Sequence, residues 1–169
     1  LRVIYAQRSQ VICIKCGKHV ERDHADRIAK KVLEGLPGGQ ILVLAPLATW
    51  QHMAVNDLRF QLETQGFGRT FLAGQIHKLA DVADEKISQG DIIVDRLTVS
   101  AESAMRLAEA SRLALQLGNG RMSVVCGDIR QQFSSDMVCC GIEYKDPSTS
   151  LFSYNHPLGA CQTCQGFGF

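Results

Sequence analysis

Cysteine is the residue type whose spacing in this sequence points to chemistry. Cys13-Ile-Lys-Cys16 and Cys161-Gln-Thr-Cys164 each leave two residues between thiols. That gap lets both sulfurs of one tight turn reach a single tetrahedral metal. Each pair is half a site, so the chain must supply more ligands. Cys140 lies 21 positions before Cys161 and is followed by Gly141, as a knuckle cysteine is expected to be. A four-cysteine site built on Cys140, Cys161 and Cys164 then wants a cysteine at position 137, where this chain has Met137. A thioether is a poor zinc ligand beside thiolate or imidazole. Cys139 is the substitute at hand, although the side chains of adjacent cysteines diverge. On this reading zinc is a structural cofactor whose site is degenerate at Met137. Cys13 and Cys16 need partners from His19, His24 or sequence outside this chain, and Cys126 reads as a small buried hydrophobe.

Other chemistry finds no support. There is no G-x-x-x-x-G-K-[ST] phosphate loop, no G-x-S-x-G elbow, and no H-x-E paired with P-C-x-x-C as in zinc deaminases. Neither cysteine pair is expected at a helix start after a strand, where thioredoxin-like chemistry sits. No catalytic residue is assigned.

The bulk properties are those of an ordinary globular chain. It has 169 residues, 46% hydrophobic and 21% charged, with a net charge of +1. That length buries a real core, and that charge gives no general argument for nucleic-acid or membrane binding. Apolar runs such as Ile41–Leu44 are far too short to span a bilayer. Seven cysteines, an odd number with two Cys-x-x-Cys pairs, fit reduced metal-binding thiols, so the cytoplasm is the expected compartment. Leu1 at the start and GFGF at the end read as the edges of a segment of a longer protein.

Periodicity supplies the frame that positions these residues. Residues 1–7 read as a helix end. Ala25, Ile28, Ala29, Val32 and Leu36 form a helical stripe that Asp23 can cap and that Pro37-Gly38-Gly39 ends. Ile41–Leu44 reads as a buried strand, and Val55, Leu58 and Leu62 as one helix face. Residues 69–73 and 76–79 read as paired strands, 81–90 as an exposed polar loop, and 91–99 as a strong strand. In that last strand alternation puts Val94, Arg96 and Thr98 on one face. Ser100 can cap a helix to about Leu117, and Met122–Cys126 is a further strand. The order β-α-β-β-β-α-β predicts an α/β (α+β) domain with a small mixed sheet over residues 22–135. Cysteine-bearing segments at 1–21 and 136–169 flank it.

The tail LFSYNHPLGACQTCQGFG, with its spacing from Cys140-Gly141, closely resembles the UvrA family, the damage-recognition subunit of bacterial nucleotide excision repair. LRVIYAQ…CIKCG, ILVLAP, GFGR, IIVDRLTV and LALQLGNG extend the resemblance in order along essentially the whole chain. The resemblance implies a segment from the first ATP-binding half of an ABC-type ATPase, between its phosphate loop and its signature sequence. ATP and magnesium would then act outside this segment. It further implies that residues 22–135 are an inserted UvrB-binding module and that the cysteine loop from about 137 to 166 is a zinc module. Two family arginines that contact acidic groups on UvrB match Arg69 in GFGR and Arg96 in IVDR. The parent protein would be a homodimer that meets damaged DNA. Met137, the DPSTS stretch at 146–150 and the loop at 79–90 depart from the family pattern. A freestanding zinc ribbon, or a DnaJ-like cysteine-rich protein-binding module suggested by CQTCQGFG, is the competing expectation. Only one full C-x-x-C-x-G-x-G repeat is present, where the DnaJ type needs four.

Overall fold

The computed structural model describes residues 1–169 apart from Gln51, Asp146, Gln162, Gly166 and Phe169. The first residue of DPSTS and part of the GFGF tail therefore lie outside the described residues. The chain divides into two compact units. One is Asp23–Ser135, and the other joins Leu1–Arg22 to Asp136–Phe169.

The chain opens with helix α1 (Arg2–Arg8) and two short strands, β1 (Val11–Ile12) and β2 (His19–Val20). The larger unit follows with α2 (Ala25–Gly35), β3 (Gln40–Pro46), α3 (Val55–Thr64), β4 (Arg69–Leu72) and β5 (Gln75–Lys78). It continues through α4 (Asp84–Ile87), β6 (Asp91–Thr98), α5 (Ala104–Leu117), β7 (Arg121–Cys126) and β8 (Ile129–Ser134). Beyond it, β9 (Val138–Cys139) and β10 (Ile142–Glu143) form a second small hairpin.

The larger unit is an α/β fold of the α+β kind. Its six strands lie in the order β5-β4-β6-β3-β7-β8. Strand direction, left mixed by the sequence reading, is antiparallel in every pair. Core residues of β3 (Ile41, Val43, Ala45), β6 (Ile92, Leu97) and β7 (Met122, Val124) join one cluster with Ile28 and Val32 of α2 and Leu107 and Ala114 of α5. The stripe on α2 is buried at Ala25, Ile28, Ala29 and Val32, because a 3.6-residue period puts all four on the side facing the sheet. At Gly118 a Cβ would meet the Arg121 carbonyl at 1.9 Å and the Pro46 ring at 2.7 Å, so only glycine fits where α5 turns into β7. Trp50 locks the same corner, its indole N–H donating to the Leu117 carbonyl at 2.9 Å.

Three local expectations are corrected and one strand, β8, is added. The stretch 81–90 is not an exposed loop: a 3-10 turn at Leu79–Asp81 and α4 bury Leu79, Val82 and Ile87 in the core. The Arg59 guanidinium on α3 fixes it, donating to the carbonyls of Leu79 and Val82 and, at 2.8 Å, to Asp84. Asp23 does not cap α2, whose N-cap is His24 without a side-chain bond; Asp23 instead accepts from Lys31 at 2.7 Å. The polar run IRQQFS forms strand β8 on the sheet edge, paired to β7 along its length. In β6, Val43 faces Asp95 but Leu44 faces Ile93, so Val94 is the extra residue of a β-bulge. The bulge resets alternation, and Ile93 rather than Val94 shares a face with Arg96.

In the smaller unit, Cys13, Val20 and Met137 make a core with Val11, Cys139 and Tyr144 packed against it. Val11 pairs with Val20 across the first hairpin and Ile142 with Cys139 across the second. Among the described residues, no helix is long and apolar enough to cross a membrane.

Candidate metal centre and interaction face

Two hairpin turns build the candidate metal centre. The first is the knuckle between β1 and β2, in which the Gly17 N–H donates to the Cys13 carbonyl at 2.9 Å and the Cys13 N–H to Lys18 at 2.8 Å. This presents Cys13 and Cys16 together. The second is the tip of β9–β10, where Cys140 (φ +52°) and Gly141 (φ +75°) both take left-handed backbone. Two such residues are what a tight primed hairpin turn requires, and the glycine bears that conformation without a side-chain penalty. The turn swings Cys140 back beside Cys139. Lys15 Nζ donates to the Cys140 carbonyl at 3.2 Å, and the Ile14 N–H to the Tyr144 hydroxyl at 3.0 Å, clamping one hairpin on the other.

The sulfurs of Cys13, Cys16, Cys139 and Cys140 all lie within 4.8 Å of one another, the one group of this kind among the described residues. With metal–sulfur bonds of about 2.3 Å, a regular tetrahedron separates its sulfurs by roughly 3.8 Å. Cys16 and Cys139 are 3.5 Å apart, and Cys139 and Cys140 3.9 Å. The donor set therefore has the spacing and softness of a tetrahedral four-thiolate site.

As thiols alone, Cys13, Cys139 and Cys140 do not ionise together. The Tyr144 hydroxyl, aided by backbone N–H groups of Cys16 and Lys15, holds Cys13 down to about 6. Cys139, bonded to Cys16 and Cys13, is pushed up to about 12, and Cys140 is raised by the same two neighbours. Cys13 carries charge while Cys139 and Cys140 keep their protons, and a divalent cation would displace those protons.

This grouping differs from the one read off the sequence. Cys139 and Cys140 are joined by Cys13 and Cys16, not by Cys161 and Cys164. Neither histidine serves: His19 bonds Glu21 at 2.7 Å, and His24 heads α2. Met137 is buried in the small core rather than standing in for a ligand. Adjacent cysteines converge because the left-handed turn at Cys140 rotates its side chain back, which spacing does not reveal. Cys161 and Cys164 form a separate knuckle, with the Gln165 N–H donating to the Cys161 carbonyl at 2.7 Å. The Cys164 and Thr163 N–H groups lower the Cys161 thiol to about 7. Tyr144 and Lys15 are the contributors that the sequence reading missed; their offsets from the cysteines carry no motif.

Arg69 and Arg96 lie elsewhere, on the sheet of the larger unit. Strand register puts both on the face turned away from the main core, together with Phe71, Ile76, Lys78, Asp91, Ile93, Leu42, Leu44, Ser123, Val125 and Arg130. Both arginines are exposed, and neither guanidinium meets a carboxylate among the described residues. Arg96 donates to the Gln40 side chain at 3.2 Å. Asp95, next to it, is held by Arg106 of α5 at 2.7 and 2.8 Å and so does not neutralise Arg96. Asp91 is the only acid contributed to this face by the strands, and burial pushes its carboxyl up against the opposing pull of Arg130. Arg130 on β8 donates to Asp91 on β6 at 2.8 Å across the intervening β7 and β3, so the sheet curls around this face. The result is an apolar floor under a positive rim.

The family model of the UvrA interaction domain matches residues 24–128, which fall within the larger unit. UvrABC system protein A of Thermus thermophilus is 32% identical over 178 residues, covering 100% of this chain and 19% of that protein. The protein of the same name from Methanothermobacter thermautotrophicus is 32% identical over 182 residues, covering 99% of the chain and 19% of its own length. That of Bacillus subtilis is 30% identical over 174 residues, covering 99% and 18%. The chain thus spans under a fifth of the length of these curated relatives. The family match sets aside the zinc-ribbon and DnaJ-like readings: this chain belongs to the UvrA family and contains its interaction domain.

Proposed function

We propose that this chain is the partner-docking segment of a UvrA-type damage-recognition ATPase of nucleotide excision repair, and that its partner is UvrB. ATP hydrolysis, damaged DNA and a second UvrA subunit belong to the remainder of the longer protein. The observation that carries the reading is the pair Arg69 and Arg96, exposed on the sheet face turned from the main core, their guanidinium groups unmatched by a carboxylate among the described residues. A guanidinium so placed can form paired hydrogen bonds with a partner carboxylate. The sheet acts as a rigid platform, and the four-thiolate site holds a structural zinc that fixes the smaller unit.

The test is a pull-down of UvrB by the wild-type chain and by the Arg69→Ala/Arg96→Ala double variant. Capture by the wild type and loss in the variant, with an unchanged melting temperature, is the expected result. Undiminished capture by the variant removes Arg69 and Arg96 from the interface.

A further inference from the structure

Beside Arg96 the curled face closes into a groove of about 260 Å3, lined among others by Leu42, Phe71, Ile76, Arg96 and Val125. This is below the roughly 300–1,000 Å3 of small-molecule sites. It suits a single large side chain. Ile76 is 44% exposed at its wall, while Val125 at its floor is 7% exposed. A half-exposed aliphatic wall over a dry floor, with a guanidinium at the mouth, has the layout of an interface anchor point: an apolar pocket ringed by polar groups. Gln40 occupies one donor of Arg96 and steadies its plane, leaving others of its five N–H groups for a ligand.

We infer that this groove is the affinity-determining pocket of the interface, and that it takes one large apolar side chain of UvrB flanked by a carboxylate that pairs with Arg96. The inference rests on the UvrB reading above and deepens it. Charge complementarity selects the occupant. Arg69, Lys78, Arg96, Arg121 and Arg130 point to this face from the strands against the single acid Asp91, with Asp128 in the β7–β8 turn near its end. A partner that brings carboxylates around an apolar residue satisfies both the rim and the floor. A nucleic-acid strand would satisfy the rim only. It needs aromatic platforms for its bases, and of these four apolar walls only Phe71 is aromatic.

The test is a titration of UvrB into the chain at several salt concentrations, comparing wild type with Ile76→Ser, Ile76→Val and Arg96→Ala. Phe60→Ser serves as the control, an apolar residue 74% exposed on α3 outside the groove. Truncating a central anchor is expected to raise Kd about tenfold in Ile76→Ser. Ile76→Val should raise it a few-fold, Phe60→Ser should leave it unchanged, and only Arg96→Ala should flatten the salt dependence. Should Ile76→Ser lower the melting temperature, the Ile76→Val shift decides, since that change keeps the strand-forming side chain. Wild-type binding of UvrB with no loss in either Ile76 variant overturns the pocket and leaves the UvrB reading intact. No binding by the wild type overturns both. A DNA duplex that competes with UvrB for this face and binds Ile76→Ser as well as wild type also overturns the inference.

Discussion

The two units of this chain are held together by different physics. In Asp23–Ser135 a continuous apolar core joins helices α2, α3 and α5 to one face of a six-stranded sheet. Among the described residues of Leu1–Arg22 with Asp136–Phe169, the buried apolar cluster is Cys13, Val20 and Met137, beside four sulfurs within 4.8 Å. The first unit can fold by burying hydrophobic surface. The second has too little to bury, and its order depends on what links the sulfurs. The six-stranded sheet with the proposed partner face thus resides in one unit and the candidate metal site in the other.

Removing the metal should show the difference most strongly. Structural zinc contributes on the order of 10–16 kcal/mol in small cysteine-rich modules. A strong chelator should therefore collapse the dispersed amide signals of Val20, Tyr144 and the β9–β10 hairpin while leaving the denaturation midpoint of the larger unit in place. Loss of both together would join what the comparison separates. Next in size is a cavity in the sheet unit. Leu107→Ala removes a side chain that is 0% exposed and should lower the stability of that unit by about 2–5 kcal/mol in urea titration. Metal content should not change. The smallest effect is electrostatic. The folded chain binds the Asp91 proton more tightly than the unfolded chain, because burial raises its pKa. The stability attached to that proton is present at low pH and is lost as pH rises through and just above the ordinary carboxylate range, near 4. Asp91→Asn should flatten this part of the pH–stability profile, as measured by denaturation at several pH values.

The two units also differed in how far they could be read from sequence. A period of 3.6 reported the helices α2 and α5, a continuous apolar run the strand β3, and alternation the strand β6, since burial writes itself into local order. The stretch 81–90 escaped because its three buried residues, Leu79, Val82 and Ile87, are diluted by acids and held by an arginine 20 or more positions away. The ligand set escaped for a similar reason. Spacing alone favours Cys140 with Cys161 and Cys164, whereas the sulfurs that meet, Cys16 and Cys139, are 123 residues apart. A left-handed backbone at Cys140, invisible in a spacing pattern, makes adjacent cysteines converge. For Arg69 and Arg96 the sequence suggested a polar face, but the bulge at Val94 and the groove beside Arg96 emerge only from register.

The division of labour between the units is tested most directly by one binding experiment, UvrB titrated into three preparations each purified in the presence of zinc. These are the wild type, Arg69→Ala/Arg96→Ala and Cys139→Ser. The account predicts that the arginine variant weakens binding about tenfold or more. Cys139→Ser should lose its metal yet bind UvrB within about threefold of wild type, a difference of under 1 kcal/mol. If binding instead falls with the metal and survives loss of both arginines, the docking surface belongs to the cysteine unit and the assignment is contradicted.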